Sequence, residues 1–180
     1  MSSAGGAEMQ PAMARATFGV MDHDVQLLLD RIEIDDLLTC YAGAVDDRDW
    51  ERLDTVFAPR AQLDYRSAGG IRGPYPEVRK WLSDVLPIFT WTQHLVVNRS
   101  VTVDPGGATA RARSDFHNPN QTVIDDEPWL FVVGGRYHDR LERLPTGWRI
   151  THRVEETLWW HHPMPGLPPE PYPLPEGALP

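Results

Sequence analysis

Val45-Asp46-Asp47-Arg48-Asp49-Trp50-Glu51-Arg52-Leu53, running on to Ala58-Pro59 and Leu63-Asp64-Tyr65-Arg66-Ser67, is the stretch on which the fold turns. Upstream of it, Leu28, Ile32, Ile34, Leu37, Leu38, Tyr41, Ala42 and Val45 recur at three- and four-residue spacing. This predicts an amphipathic helix from about Asp22 to Asp46, with Asp46 at the border of its buried face. Asp49 is a suitable N-cap for a second, shorter helix that buries Trp50, Leu53, Val56 and Phe57 and stops before Pro59. Gln62 to Arg66 alternates as a strand with Ala61, Leu63 and Tyr65 on one face, so Tyr65 points inward. A carboxylate at the end of an apolar helix and a phenol on the first strand after the next helix are the layout of a small α+β cone over an apolar pocket.

Downstream, Ser67-Ala68-Gly69-Gly70 makes a turn, and Pro74 and Pro76 open a third helix whose buried stripe is Val78, Trp81, Leu82, Val85 and Leu86. The segments Trp91–Val103, Ala108–Asn118, Trp129–Leu144 and Trp148–Trp160 are rich in β-branched and aromatic residues and read as strands. Turns are expected at Asp104-Pro105-Gly106-Gly107, Asn118-Pro119-Asn120 and Pro145-Thr146-Gly147. Helices first and strands afterwards indicate an α+β fold: a curved mixed or antiparallel sheet wrapped around three helices from the N-terminal half. Gly134-Gly135 inside a strand marks a bulge or sharp bend. The open end of such a cone is the default ligand site, and Phe57 and Trp129 are aromatics expected to line it.

At 180 residues and 41% hydrophobic content, the chain has material for one core. Periodicity fades on both flanks, giving residues 1–21 as a flexible arm, 22–162 as the domain and 163–180 as a proline-rich, extended tail. Lys and Arg number 17 against 26 Asp and Glu, a formal charge of −9, which argues against nucleic acid or an anionic membrane as partner. Cys40 stands alone, excluding an internal disulfide, and reads as an inert core thiol. Neither a signal-peptide run nor an apolar segment of membrane-spanning length is visible, so a cytoplasmic location is expected. Adjacent His161 and His162 would point to opposite faces of a strand with no third ligand, and no metal site is assigned.

Asp46-Asp47-Arg48-Asp49-Trp50-Glu51-Arg52-Leu53, Ala58-Pro59, Asp64-Tyr65-Arg66-Ser67 and Thr92-Gln93-His94 together resemble the SnoaL-like branch of the NTF2-like superfamily, over most of residues 22–162. The resemblance is greatest to its scytalone dehydratase members, in which the residues matching Asp46 and His94 form a hydrogen-bonded pair and the residue matching Tyr65 holds a water against the substrate carbonyl. Where those enzymes carry a second catalytic tyrosine this chain has Val45, and where they carry a second histidine it has Asn118, next to His117. Bile-acid dehydratases of the same fold offer a tyrosine that falls on Tyr41. Their catalytic arginine on the last strand has Arg153 as its nearest, out-of-register counterpart, and a strand arginine here is otherwise expected to pair with a carboxylate such as Glu155 or Asp115. The resemblance also implies a homodimer or homotrimer.

These residues suit one chemistry. Eliminating water beside a carbonyl, or shifting a double bond next to one, needs a base for an acidic C–H and a donor for the developing enolate. His94 is expected as general base and acid, Asp46 as the carboxylate that fixes its tautomer, and Tyr65 with Tyr41 as oxygen donors. His117, Asn118 and Arg153 join Phe57 and Trp129 as substrate-binding candidates. The expected activity is a cofactor-independent dehydratase acting on a hydrophobic, cyclic carbonyl or hydroxy compound of polyketide or steroid type. Double-bond isomerisation or cyclisation ranks next, and a non-catalytic ligand-binding or structural subunit is the alternative from another class. The latter would not need Asp46, His94 and Tyr65 to converge.

Overall fold

Helix α1 (Gln10–Asp46) fixes the rest of the molecule. The structure, a computed structural model, describes residues 10–179, with side chains from residue 22 onward. The expected arm of residues 1–21 is thus helical from Gln10, while residues 1–9 lie outside the described part. Pro11 falls in the first turn, where its missing N–H leaves no bond unmade, and Ala12, Ala14 and Ala16 are the strongest helix formers. Propensity, rather than an apolar period, extends the helix.

The buried stripe of α1 also differs from the expected one. Leu28 and Ile32 are 59% and 49% exposed, and the side chains turned inward are Asp30, Ile34, Leu38, Tyr41 and Val45. Asp30, 1% exposed, accepts from Arg143 and from Gln26, so the first inward position is occupied by an ion pair. A period defined by apolar residues alone passes over a buried charge with its own counter-ion.

Asp49 caps the single-turn helix α2 (Trp50–Leu53), accepting from the Arg52 N–H at 3.0 Å. Phe57 does not end that helix but begins strand β1 (Phe57–Asp64). Pro59 is tolerated because β1 bulges between Phe57 and Gln62 against its parallel neighbour β7, leaving the proline outside the ladder. β1 also pairs antiparallel with β2 (Arg72–Pro74), which feeds α3 (Tyr75–Val85). Then follow β3 (Trp91–Thr92), β4 (Leu95–Val103), β5 (Thr109–Ile124), β6 (Glu127–Leu144) and β7 (Gly147–His161). The sheet runs β2-β1-β7-β6-β5-β3, with β4 also on β5, and among the described residues the β1–β7 pair alone is parallel.

Asn118-Pro119-Asn120 lies inside β5 and is not a turn. Pro119 sits where β5 passes from pairing with β4 at His117 to pairing with β3 at Asn120, and its absent N–H falls in that gap. The hairpin instead closes at Asp125 and Asp126, both with positive φ, a two-residue turn matched to strand twist. At Gly134-Gly135 the β6–β7 register shifts, as the sequence implied. A Cβ on Gly135 would stand 2.2 Å from the Glu156 carbonyl oxygen, and one on Gly134 would stand 2.3 Å from the Trp159 ring. The core fills the space between α1, α3 and the concave face, with Ile34, Leu38, Leu53, Val78, Leu141 and Ile150 fully buried. Beyond β7 the tail folds back: Trp160 Nε1 donates to the Pro169 carbonyl at 3.0 Å and the Tyr172 N–H donates to the Ser67 carbonyl at 3.2 Å. No helix among the described residues is long and apolar enough to cross a membrane.

Candidate active site

Asp46 is the last residue of α1, and both of its oxygens are engaged by one residue. The His94 backbone N–H donates to Oδ2 at 2.8 Å, and His94 Nδ1 lies 2.6 Å from Oδ1. A carboxylate can only accept, so Nδ1 carries a proton, and Nε2, which has no partner among the described residues, is the nitrogen left to meet a substrate. His94 stands between β3 and β4, on a short connection that is itself fixed. The Asn118 amide donates to Thr92 Oγ1 and to the Gln93 carbonyl, each at 3.0 Å, and Thr92 donates to Asn120 Oδ1 at 2.6 Å. The Gln93 N–H is taken by the Pro119 carbonyl at 3.1 Å.

Tyr41 lies five residues before Asp46 on α1, and its hydroxyl meets that of Tyr65 at 3.3 Å. Tyr65 follows β1, and its turn is pinned by Ser67. The Ser67 hydroxyl donates to the Glu155 carbonyl at 2.5 Å and accepts from the Thr157 N–H at 3.0 Å. Tyr137 of β6 stands edge-on to Tyr41, with centroids 5.5 Å apart. Burial raises the pKa of the Tyr41 phenol and pushes those of Tyr65 and Tyr137 well above the ordinary range, so all three are hydroxyl donors at neutral pH.

These groups open onto a cavity of about 200 Å³. His94, Tyr41, Tyr65, Tyr137, Asn118, Asn120 and Glu155 are its polar or partly polar lining. Trp81, Leu82 and Val85 of α3, Leu86 and Phe89 after it, and Met164 and Leu167 of the tail supply apolar walls. Burial lifts the Glu155 carboxyl to about 7, partly opposed by a hydrogen bond from Thr157 and the charge of Arg153. Among the described residues no group of three or more His, Cys, Asp or Glu is placed to hold a metal ion.

Of the residues singled out in the sequence, Tyr41, Tyr65, His94 and Asn118 line this cavity, and Asp46 stands directly behind His94. Four others are placed elsewhere. His117 alternates with Asn118 on β5, so it is exposed on the outer face, beside Trp159 with centroids 5.6 Å apart. Phe57 is sealed in the core against the edge of Tyr41, 5.9 Å between centroids. Trp129 lies near the start of β6, its Nε1 donating to the His162 carbonyl at 3.0 Å. Arg153 faces inward but below the cavity floor and is fully buried. Its guanidinium forks onto Asp139 at 2.7 and 2.8 Å and lies over the rings of Tyr41 and Tyr137 at 4.0 and 4.3 Å. Its counter-ion is therefore Asp139, not Glu155 or Asp115.

Tyr137, Glu155 and Asn120 are polar cavity groups not singled out as site candidates in the sequence. The available signal was the two-residue period of a strand: Glu155 shares a face with Arg153 and is one step nearer the mouth, and Tyr137 is its cross-strand partner on β6.

The SnoaL-like domain family matches residues 26–154 of the chain. An uncharacterised protein of Mycobacterium tuberculosis is 46% identical over 126 residues, which is 70% of this chain and 84% of the relative. Among solved structures, a Novosphingobium aromaticivorans protein assigned as a scytalone dehydratase superposes with a TM-score of 0.68 at 18% identity, covering 77% of this chain and 91% of that one. The hexachlorocyclohexane dehydrochlorinase LinA-type3 of Novosphingobium barchaimii gives 0.67 at 18% identity, over 80% and 96%. Identities of that size speak for the fold alone. With the domain match spanning most of the folded region, the chain belongs to the SnoaL-like domain family and has the NTF2-like fold.

Proposed function

We propose that the protein is a lyase that removes water from a hydrophobic, cyclic carbonyl compound, with His94 as the base. The observation that carries this reading is the Asp46–His94 pair, closed at 2.6 Å, in the wall of an apolar cavity that also presents two phenols in mutual contact. Asp46 fixes the tautomer and stabilises the imidazolium formed when Nε2 takes a proton. Tyr41 and Tyr65 donate to the carbonyl oxygen as it becomes an enolate, in surroundings where water competes little. Apolar walls select a ring system, and the polar lining orients its oxygens.

Elimination is favoured over a scaffold or carrier role by the convergence itself. Packing alone has no use for a histidine oriented at both its backbone and its ring by one carboxylate, with the free nitrogen left beside a cavity. The named activities of the two solved structures above, a dehydratase and a dehydrochlorinase, are both eliminations and lend support to this class. The test is a panel of bicyclic β-hydroxyketones assayed for enone or phenol formation with wild type and His94→Gln. Turnover is expected to fall by about 10²-fold or more in the variant, and an unchanged rate would dispose of the mechanism.

A further inference from the structure

The cavity holds one acidic group that this scheme leaves idle. Glu155 faces it from β7, opposite Tyr137 on β6, and is only 9% exposed. Thr157 Oγ1 donates to Glu155 Oε1 at 3.2 Å. Among the described residues Oε2 accepts no hydrogen bond, yet it is not one of the fully enclosed, unpartnered atoms, so it is open to the cavity. The surrounding groups are the neutral phenols of Tyr41, Tyr65 and Tyr137, the hydroxyls of Ser67 and Thr157, and Arg153, whose Nε and Nη2 are held by Asp139, whose buried Nη1 has no partner among the described residues, and whose charge offsets the burial of Glu155 only in part. A carboxylate here would be an anion without a dedicated counter-ion, and the carboxylic acid is the form such a site favours.

His94 has only one nitrogen to offer, because Asp46 holds Nδ1. While Nε2 takes a proton from carbon it cannot give one to an oxygen departing elsewhere on the ring. Tyr41 and Tyr65 are poor acids, made weaker by burial. Glu155, titrating at about 7, is much the stronger acid in the cavity.

We infer that Glu155, as the carboxylic acid, protonates the departing hydroxyl oxygen while His94 takes the C–H proton, an assignment that rests on the elimination reading above. The C–H electron pair becomes the new C=C bond, the C–O pair leaves with the oxygen, and the proton on Oε2 moves to that oxygen to release water. Imidazolium and carboxylate remain, and the released water carries the proton back from Nε2 to Oε2. The substrate is thereby a neutral β-hydroxyketone, with its carbonyl on the phenols and its hydroxyl toward β7.

The test compares two probes, 3-hydroxy-1-tetralone and 3-chloro-1-tetralone. Both eliminate to give 1-naphthol, read by its fluorescence, but chloride leaves without needing a proton. Glu155→Gln is expected to slow the hydroxy probe by about 10²-fold or more and to leave the chloro probe little changed, whereas His94→Gln slows both. Wild-type turnover of the hydroxy probe falls as pH rises through about 7, and the chloro probe lacks that limb. Binding of 1-naphthol, read by thermal shift, checks that each variant keeps its cavity. If Glu155→Gln fails that check, Glu155→Asp, which withdraws the acid by one methylene, takes its place in the same comparison. If the Glu155 variant slows both probes equally or neither, while His94→Gln slows both, Glu155 is not the acid and elimination by His94 stands. If His94→Gln slows neither, or wild type turns over neither, elimination itself is wrong and the role of Glu155 falls with it.

Discussion

At the scale of single residues, the site depends on which proton sits where. Asp46 accepts from the ring and the backbone of His94, so Asp46→Asn keeps the shape but presents an amide that can donate to Nδ1. The imidazole then turns to the tautomer with Nε2 protonated, which cannot act as base. A loss of about 10²–10⁴-fold in turnover is expected, with 1-naphthol binding retained; loss of binding alone, with turnover at saturation unchanged, would contradict it. Glu155 makes a separate prediction about stability. Its folded-state value of about 7 lies above the 4.5 of the free side chain, so between these values the folded chain holds a proton that the unfolded chain has released. Stability therefore falls as pH rises through that window, by about 3 kcal/mol in all. Glu155→Gln has no such dependence. It should melt with wild type at pH 4 and above it at pH 8, and parallel melting curves across that range would show that the carboxyl is not held protonated.

At the scale of elements, legibility followed how local the cause was. The Asp49 cap, the Gly134-Gly135 bulge, the inward face of Tyr65 and the proline-opened α3 are dictated by neighbours in sequence, and each was readable. Three features were not. The inward turn of Asp30 depends on Arg143, over a hundred residues away. The passage of β5 straight through Asn118-Pro119-Asn120 depends on a gap between β3 and β4. The withdrawal of Arg153 from the cavity depends on Asp139 of a neighbouring strand. In each case a tertiary partner overrode the local signal. The bulge gives the element-scale prediction. Gly135→Ala places a methyl 2.2 Å from the Glu156 carbonyl and 2.9 Å from Phe116, in a ladder with no slack. Destabilisation of about 2 kcal/mol or more is expected in denaturant titration, and a neutral outcome would mean that the β6–β7 bulge can relax.

At the scale of the whole molecule, the cavity is assembled from parts far apart in the chain: α1, the turn after β1, α3, three long strands and the tail. Its walls are apolar rings and aliphatic chains, and its polar groups are phenols, two amides, one imidazole and one carboxyl. Such a site takes a neutral bicyclic ring with an oxygen and rejects the same ring bearing a carboxylate, whose charge would be stripped of water beside Glu155 with no cation among the described residues that line the cavity. Free ligand at a hundred times its Kd stabilises a fold by about 2.7 kcal/mol, which for a domain of this size raises Tm by roughly 5–10 °C. 1-Naphthol should therefore raise Tm by that amount in wild type and in His94→Gln alike, while 1-naphthoate at the same concentration leaves it unchanged. Deleting residues 163–180 removes Met164 and Leu167 from the wall, and the naphthol shift should shrink. Equal shifts for naphthol and naphthoate would mean that ligands bind on a polar surface instead of in this cavity. A full naphthol shift in the truncated chain would mean that the tail rests on the fold without closing the site.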